Sequence, residues 1–131
     1  MPSPGDTERD APHVLIVDDD TDILDALAEL LAAHAVRVET APSGFAALET
    51  LQRNPLPSLV LLDIRMPGMS GWDVYAWMQR DPTTAGVPVV IISGEGQTPS
   101  EARARGVKEV LRKPIDLDAM LRLVERYCVP T

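Results

Sequence analysis

The chain contains one cysteine, Cys128, among 131 residues. It can form neither an intramolecular disulfide nor a cysteine-based metal site, and a lone thiol is expected to serve packing rather than nucleophilic chemistry. Apolar runs of membrane-spanning length are also missing. The opening MPSPGDTERDAP is polar and acidic, without the apolar centre of a secretory signal. Residues 1–12 are therefore expected to be a disordered arm, and the protein to be cytoplasmic. Excess positive charge is lacking as well. A formal net charge of −8 speaks against nucleic-acid binding by the domain as a whole, because phosphate contacts need clustered Lys and Arg.

What is present fits one soluble domain with a single core. Its charge is uneven: residues 1–101 hold 5 basic and 16 acidic side chains, whereas residues 102–131 hold 7 and 4. The C-terminal quarter is a basic patch on an acidic body.

Short apolar runs alternate with longer helical patterns. HVLIVD reads as a buried strand, followed by a helix from about Asp22 to Ala33 with Ile23, Leu27, Leu30 and Leu31 on one stripe. VRVETA alternates as a half-buried strand and SGFAALETLQR follows as a helix. SLVLLD, GWDVYAWMQR and VPVVIIS continue as strand, helix and strand. Thr98 to Glu101 has capping-box spacing with Pro99 at the first helical position, which starts a short helix ending near Gly106. VKEVLRK is a fifth strand, and Leu117 to Tyr127 a fifth helix burying Met120, Leu121, Leu123 and Val124. Five such units imply an α/β domain over residues 13–128 with parallel strands and helices on both faces of the sheet, leaving 129–131 as a short tail.

In open parallel sheets, ligands bind beyond the carboxyl ends of the strands. Asp18 and Asp19 end the first strand, Asp63 the third, Ser93 the fourth, and Lys113 the fifth. Carboxylates this close repel one another unless a cation compensates them. Asp18, Asp19 and Asp63 suit a hard divalent cation such as Mg2+. Asp63 is then a candidate nucleophile toward phosphorus, through an acyl phosphate. Lys113 and Ser93 supply the ammonium and hydroxyl that stabilise transferred phosphoryl oxygens, and Gly94 leaves room for the donor.

Together, VLIVDDD, LVLLDIRMPGMSG, VVIISG and VLRKP, in this order and spacing from about His13 to Tyr127, resemble the receiver domain of bacterial two-component response regulators. The resemblance implies a flavodoxin-like (βα)5 three-layer sandwich with strand order 2-1-3-4-5. It implies a single-domain response regulator, a switch rather than an enzyme with turnover, whose Asp63 accepts a phosphoryl group from a histidine kinase or phosphotransfer protein. Asp18, Asp19, Asp63 and the backbone carbonyl of Arg65 would hold Mg2+, Ser93 and Lys113 would each bind a phosphoryl oxygen, and Lys113–Pro114 would be cis. Output would pass to a downstream protein through the fourth helix, fifth strand and fifth helix. There Arg103, Arg105, Lys108, Arg112, Arg122 and Arg126 make a surface suited to an acidic partner. One departure stands out: the position of the family's switch aromatic, three before Lys113, is Val110, a stiff side chain without a ring. Arg65 and Glu95 flank the phosphoryl site and are expected to pair across it and restrict attack by water.

Other readings weigh less. Asp22 and Asp25 are expected to be helix-capping or solvated carboxylates, with Asp20 left open between capping and metal binding. An EF-hand loop starting at Asp18 fails because Ile23 stands where Gly is required. A haloacid-dehalogenase-like phosphatase would need Thr or Val where Asp22 stands. A receiver fold kept as a phosphorylation-independent interaction module remains the alternative function. His13 and His34 lack ligand partners at metal spacing and are read as structural or solvent-facing. Trp72, Tyr75, Trp77 and Met78 are read as core and rim, and Gly68 and Gly71 as relieving backbone strain in a tight loop.

Overall fold

A computed structural model describes residues 13–53, 55–94, 99–107 and 109–128. The arm and tail, Glu95, Thr98 and Lys108 lie outside the described residues. Five strands, β1 (His13–Val17), β2 (Arg37–Ala41), β3 (Leu59–Asp63), β4 (Val89–Ser93) and β5 (Glu109–Arg112), alternate with five helices. The helices are α1 (Thr21–Ala33), α2 (Gly44–Leu51), α3 (Gly71–Arg80), α4 (Pro99–Ala104) and α5 (Leu117–Cys128). The strands form one parallel sheet of order β2-β1-β3-β4-β5, the flavodoxin-like arrangement implied by the resemblance.

Central strands covered on both faces must be apolar throughout, and β1 and β3 are buried at every residue. Edge strand β2 is partly buried without the alternation its sequence suggests: Arg37 and Thr40 are exposed, Val38 and Glu39 half-buried, and Ala41 buried. Successive side chains leave a strand on opposite faces, which splits the core in two. Val14, Ile16, Leu59, Leu61, Val90 and Ile92 pack under α1 and α5. Leu15, Val17, Val60, Leu62 and Ile91 pack under α2, α3 and Ala102 of α4. Cys128 is buried in the first layer, and burial pushes its thiol up to about 11, consistent with packing rather than reactivity.

Helix starts are set by side-chain oxygens that accept from otherwise unpaired N–H groups. Asp20 caps α1, accepting from Asp22 N at 3.0 Å and Ile23 N at 3.3 Å. Of the expected capping or solvated roles, Asp22 and Asp25 take the solvated one: both are exposed, Asp22 in the first turn of α1 and Asp25 further along it, while Asp20 is the cap. The buried stripe of α1 is Leu24, Leu27 and Leu31, with Ile23 and Leu30 at its rim. Ser43 caps α2, and Ser70 and Asp73 form a reciprocal capping box at α3.

The β3–α3 loop holds the two glycines singled out above, for different reasons. Gly68 has φ 81°, a left-handed conformation. Gly71 does not; it is needed because a Cβ there would collide with the Asp63 carbonyl oxygen and with Ile64 Cα. Its N–H donates to Ile64 O at 2.8 Å, fixing α3 directly against the end of β3. Gly71→Ala is expected to lower stability by about 1–3 kcal/mol, as overpacking at a rigid backbone contact does. Urea unfolding checks this, and an unchanged midpoint would show that the contact relaxes freely.

Candidate functional site

The register places the chemistry. Val17 is level with Leu62, so Asp18, the next residue, comes beside Asp63; Ser93 is level with Arg112, so Lys113 follows just beyond it. Lys113 N donates to Ser93 O at 2.8 Å and Asp18 N to Ala41 O at 3.2 Å, extending the sheet's pairing to the edge. Asp18, Asp63 and Ser93 are buried, with Asp18 at 0% exposure, whereas Asp19 is exposed.

The Lys113 Nζ lies 3.5 Å from Asp18 Oδ2 and 3.4 Å from Asp63 Oδ1. Asp18 Oδ1 accepts from Asp20 N at 2.9 Å, but Asp18 Oδ2 has no hydrogen bond, and neither does the buried Ser93 hydroxyl. Buried polar atoms without hydrogen bonds are costly, so these two atoms at one edge are the ones a further polar group or cation would satisfy. Oxygens of Asp18, Asp19 and Asp63 lie within 4.8 Å of one another, close enough to share one ion. Three carboxylates against one ammonium leave the cluster short of two positive charges, the charge of a divalent cation. The donor set is all oxygen, which fits a hard cation such as Mg2+.

Burial raises the Asp63 carboxyl, and Asp18 raises it further; Lys113 pulls the other way, leaving it at about 6. For Lys113, burial alone would lower the ammonium, but Asp63 and Asp18 together outweigh it and hold it above its ordinary value. At neutral pH Asp63 is thus largely ionised and Lys113 a cation.

Among the other sequence-derived candidates, Arg65 is exposed on the loop after β3, while its expected partner Glu95 is outside the described residues. Lys113–Pro114 is cis. Met78 is fully buried, with Trp72, Tyr75 and Trp77 at the rim, as expected. His34 is exposed with Nδ1 2.9 Å from Leu30 O. His13 is buried, its Nε2 3.1 Å from Glu39 Oε1 across the β1–β2 pair. Of the expected basic surface, Arg126 is held by Glu109 at 3.0 Å, and Arg105 is stacked on Trp72 at 4.5 Å. Sequence pattern missed both contacts, since neither pair shares an element or a motif.

A carboxyl held at about 6 instead of 3.8 keeps its proton in the folded protein over a range where the unfolded chain has lost it. Stability from this group is therefore full below about 3.8 and is lost as pH rises through 6. Asp63→Asn removes the charge, so without divalent cations it is expected to exceed the parent in stability by about 1–3 kcal/mol at pH 7.5. The gap should close toward pH 4, and at neutral pH on adding Mg2+, which the parent alone binds fully. Denaturant melts at both pH values check this; equal stabilities throughout would contradict it.

The family model of the response regulator receiver domain matches residues 14–125. Transcriptional regulatory protein GlrR of Escherichia coli is 36% identical over 115 residues, which are 86% of this chain and 25% of GlrR. The chain thus spans a quarter of that protein's length. Protein PilH of Pseudomonas aeruginosa is 30% identical over 114 residues, 86% of this chain and 93% of PilH. The crystal structure of a response regulator receiver protein from Pseudomonas putida superposes with a TM-score of 0.81 at 27% identity, covering 88% of this chain and 97% of that one. Because the family match runs from the start of β1 into the last turns of α5 and takes in every strand end around the acidic cluster, the chain belongs to the response regulator receiver domain family.

Proposed function

We propose that the protein is a phosphorylation-dependent switch whose Asp63 accepts a phosphoryl group from a histidine kinase or phosphotransfer protein. Receiver domains are signalling modules of two-component systems, working between histidine kinases and downstream effectors. The observation that carries the reading is the joint state of the carboxyl edge: Lys113 bridges Asp18 and Asp63, while the Ser93 hydroxyl and Asp18 Oδ2 lack hydrogen-bond partners.

In the proposed reaction an Asp63 carboxylate oxygen attacks phosphorus in line. A new O–P bond forms as the bond from phosphorus to the donor's imidazole nitrogen, or to the oxygen of a small acyl phosphate, breaks and its electron pair leaves with the donor. Asp18, Asp19, Asp63 and the Arg65 carbonyl would hold Mg2+, which when bound neutralises charge and fixes a phosphoryl oxygen. Lys113 would turn from bridging carboxylates to binding a phosphoryl oxygen, and the Ser93 hydroxyl would donate to another. Output would run through α4, β5 and α5 to an acidic protein surface, by way of Arg103, Arg112 and Arg122, which are exposed. Among the described residues no helix is long and apolar enough to cross a membrane, which suits a cytoplasmic switch.

Incubation with Mg2+ and acetyl phosphate, followed by intact-mass analysis, is expected to add one phosphoryl group to the parent and none to Asp63→Asn or to Mg2+-free protein. A parent that stays unmodified, and that also fails to bind beryllofluoride, would favour the phosphorylation-independent interaction module, toward which Val110 already leans.

A further inference from the structure

On the outer side of the second core layer lies a contact that the phosphoryl chemistry does not use. The Arg105 guanidinium sits over the Trp72 ring, 4.5 Å from its centroid. Trp72 meets Tyr75 edge to face, with centroids 6.2 Å apart and planes at 76°. One residue beyond Arg105, Gly106 takes φ 95°, and a Cβ there would come within 3.3 Å of the Tyr75 hydroxyl. Two rings of α3 thus grip the corner where the chain leaves α4 for β5.

That grip matters because α4 buries little apolar surface of its own. It has six residues, and its only fully buried apolar side chain among the described residues is Ala102; so little buried area gives low local stability. Trp72 is also directly bonded to Gly71, which abuts the Asp63 carbonyl. A continuous set of contacts therefore leads from the backbone of Asp63 through Gly71, Trp72 and Arg105 to the end of α4. It bypasses β5, where the half-buried Val110 has no ring to re-orient.

We propose that the Arg105–Trp72 stack is a latch holding α4 in its resting position, and that its release is thermodynamically coupled to phosphorylation of Asp63. The inference rests on the phosphoacceptor reading above. The contacts from the Asp63 carbonyl through Gly71 and Trp72 to Arg105 give the coupling its path, and the stack opposes displacement of α4. Coupling is reciprocal: if phosphorylation opens the latch, opening the latch must favour the phosphorylated arrangement. Weakening the stack enlarges the activated population, and apparent affinity for an activating ligand rises by the same factor.

The probe is beryllofluoride with Mg2+, its binding followed by fluorine NMR on the full chain, with Trp72 emission read separately in a Trp77→Phe background. Arg105→Ala is expected to tighten beryllofluoride binding about two- to fivefold, the factor corresponding to an exposed cation–π contact of about 0.5–1 kcal/mol. Arg105→Lys, which keeps a cation over the ring, should stay near the parent, and saturation should shift Trp72 emission in the Arg105 protein but not in Arg105→Ala. If all three proteins bind equally and Trp72 emission is unmoved, the latch is overturned while the phosphoacceptor reading stands. A loss of urea stability in Arg105→Ala with unchanged affinity also overturns it, leaving the stack a structural contact only. Absence of beryllofluoride binding in the parent overturns the phosphoacceptor reading and the coupling together.

Discussion

The ammonium of Lys113, 3.5 Å from Asp18 and 3.4 Å from Asp63, is what allows two carboxylates to end adjacent strands in a buried position. Without it, fully buried Asp18 would face Asp63 uncompensated, and the penalty for an unpaired buried charge is several kcal/mol, about as large as a domain's whole margin of stability. The compensation is deliberately incomplete in its arithmetic: one ammonium serves three carboxylates. The cluster keeps a carboxylate oxygen that is ion-paired but not hydrogen-bonded, a buried hydroxyl without a hydrogen bond, and more negative than positive charge. Burial first, and Asp18 beside it second, raise the Asp63 carboxyl to about 6, and the excess of negative charge over the single ammonium is what a divalent cation would offset.

The rest of the fold keeps that imbalance in place. Side-chain direction alternates along a strand, so a slip of one residue between β1 and β3 would turn Asp18 away from Asp63 and reverse both core layers at once. The continuous burial of β1 and β3 makes that slip prohibitive. Gly71 adds a second constraint by letting α3 start against the Asp63 carbonyl, which ties the Asp63 backbone to the helix carrying Trp72 and Tyr75.

Much of this was legible before any coordinates. Apolar runs such as VLIV and LVLL can only be buried central strands in a chain of this pattern, and a carboxylate, hydroxyl or lysine following each strand falls on one edge by topology alone. Less legible features were those set by tertiary contacts. The buried stripe of α1 is Leu24, Leu27 and Leu31, with Ile23 and Leu30 beside it, a selection among adjacent apolar residues that periodicity alone leaves open. Asp20, rather than Asp22 or Asp25, caps that helix, a choice of one residue among four acidic neighbours that propensity does not resolve. Gly71 was read as a conformational glycine and is a steric one. The Arg105–Trp72 and Arg126–Glu109 contacts join residues of different elements, and no local pattern announces them.

The central claim is that the charge-deficient edge exists to make an acyl phosphate on Asp63. The most direct test is borohydride reduction of protein treated with Mg2+ and acetyl phosphate, followed by peptide mapping. Reduction of an aspartyl phosphate leaves homoserine, and the account predicts homoserine at position 63 and at no other aspartate. Phosphate retained through reduction, or homoserine at Asp18 or Asp19 in place of Asp63, would contradict it.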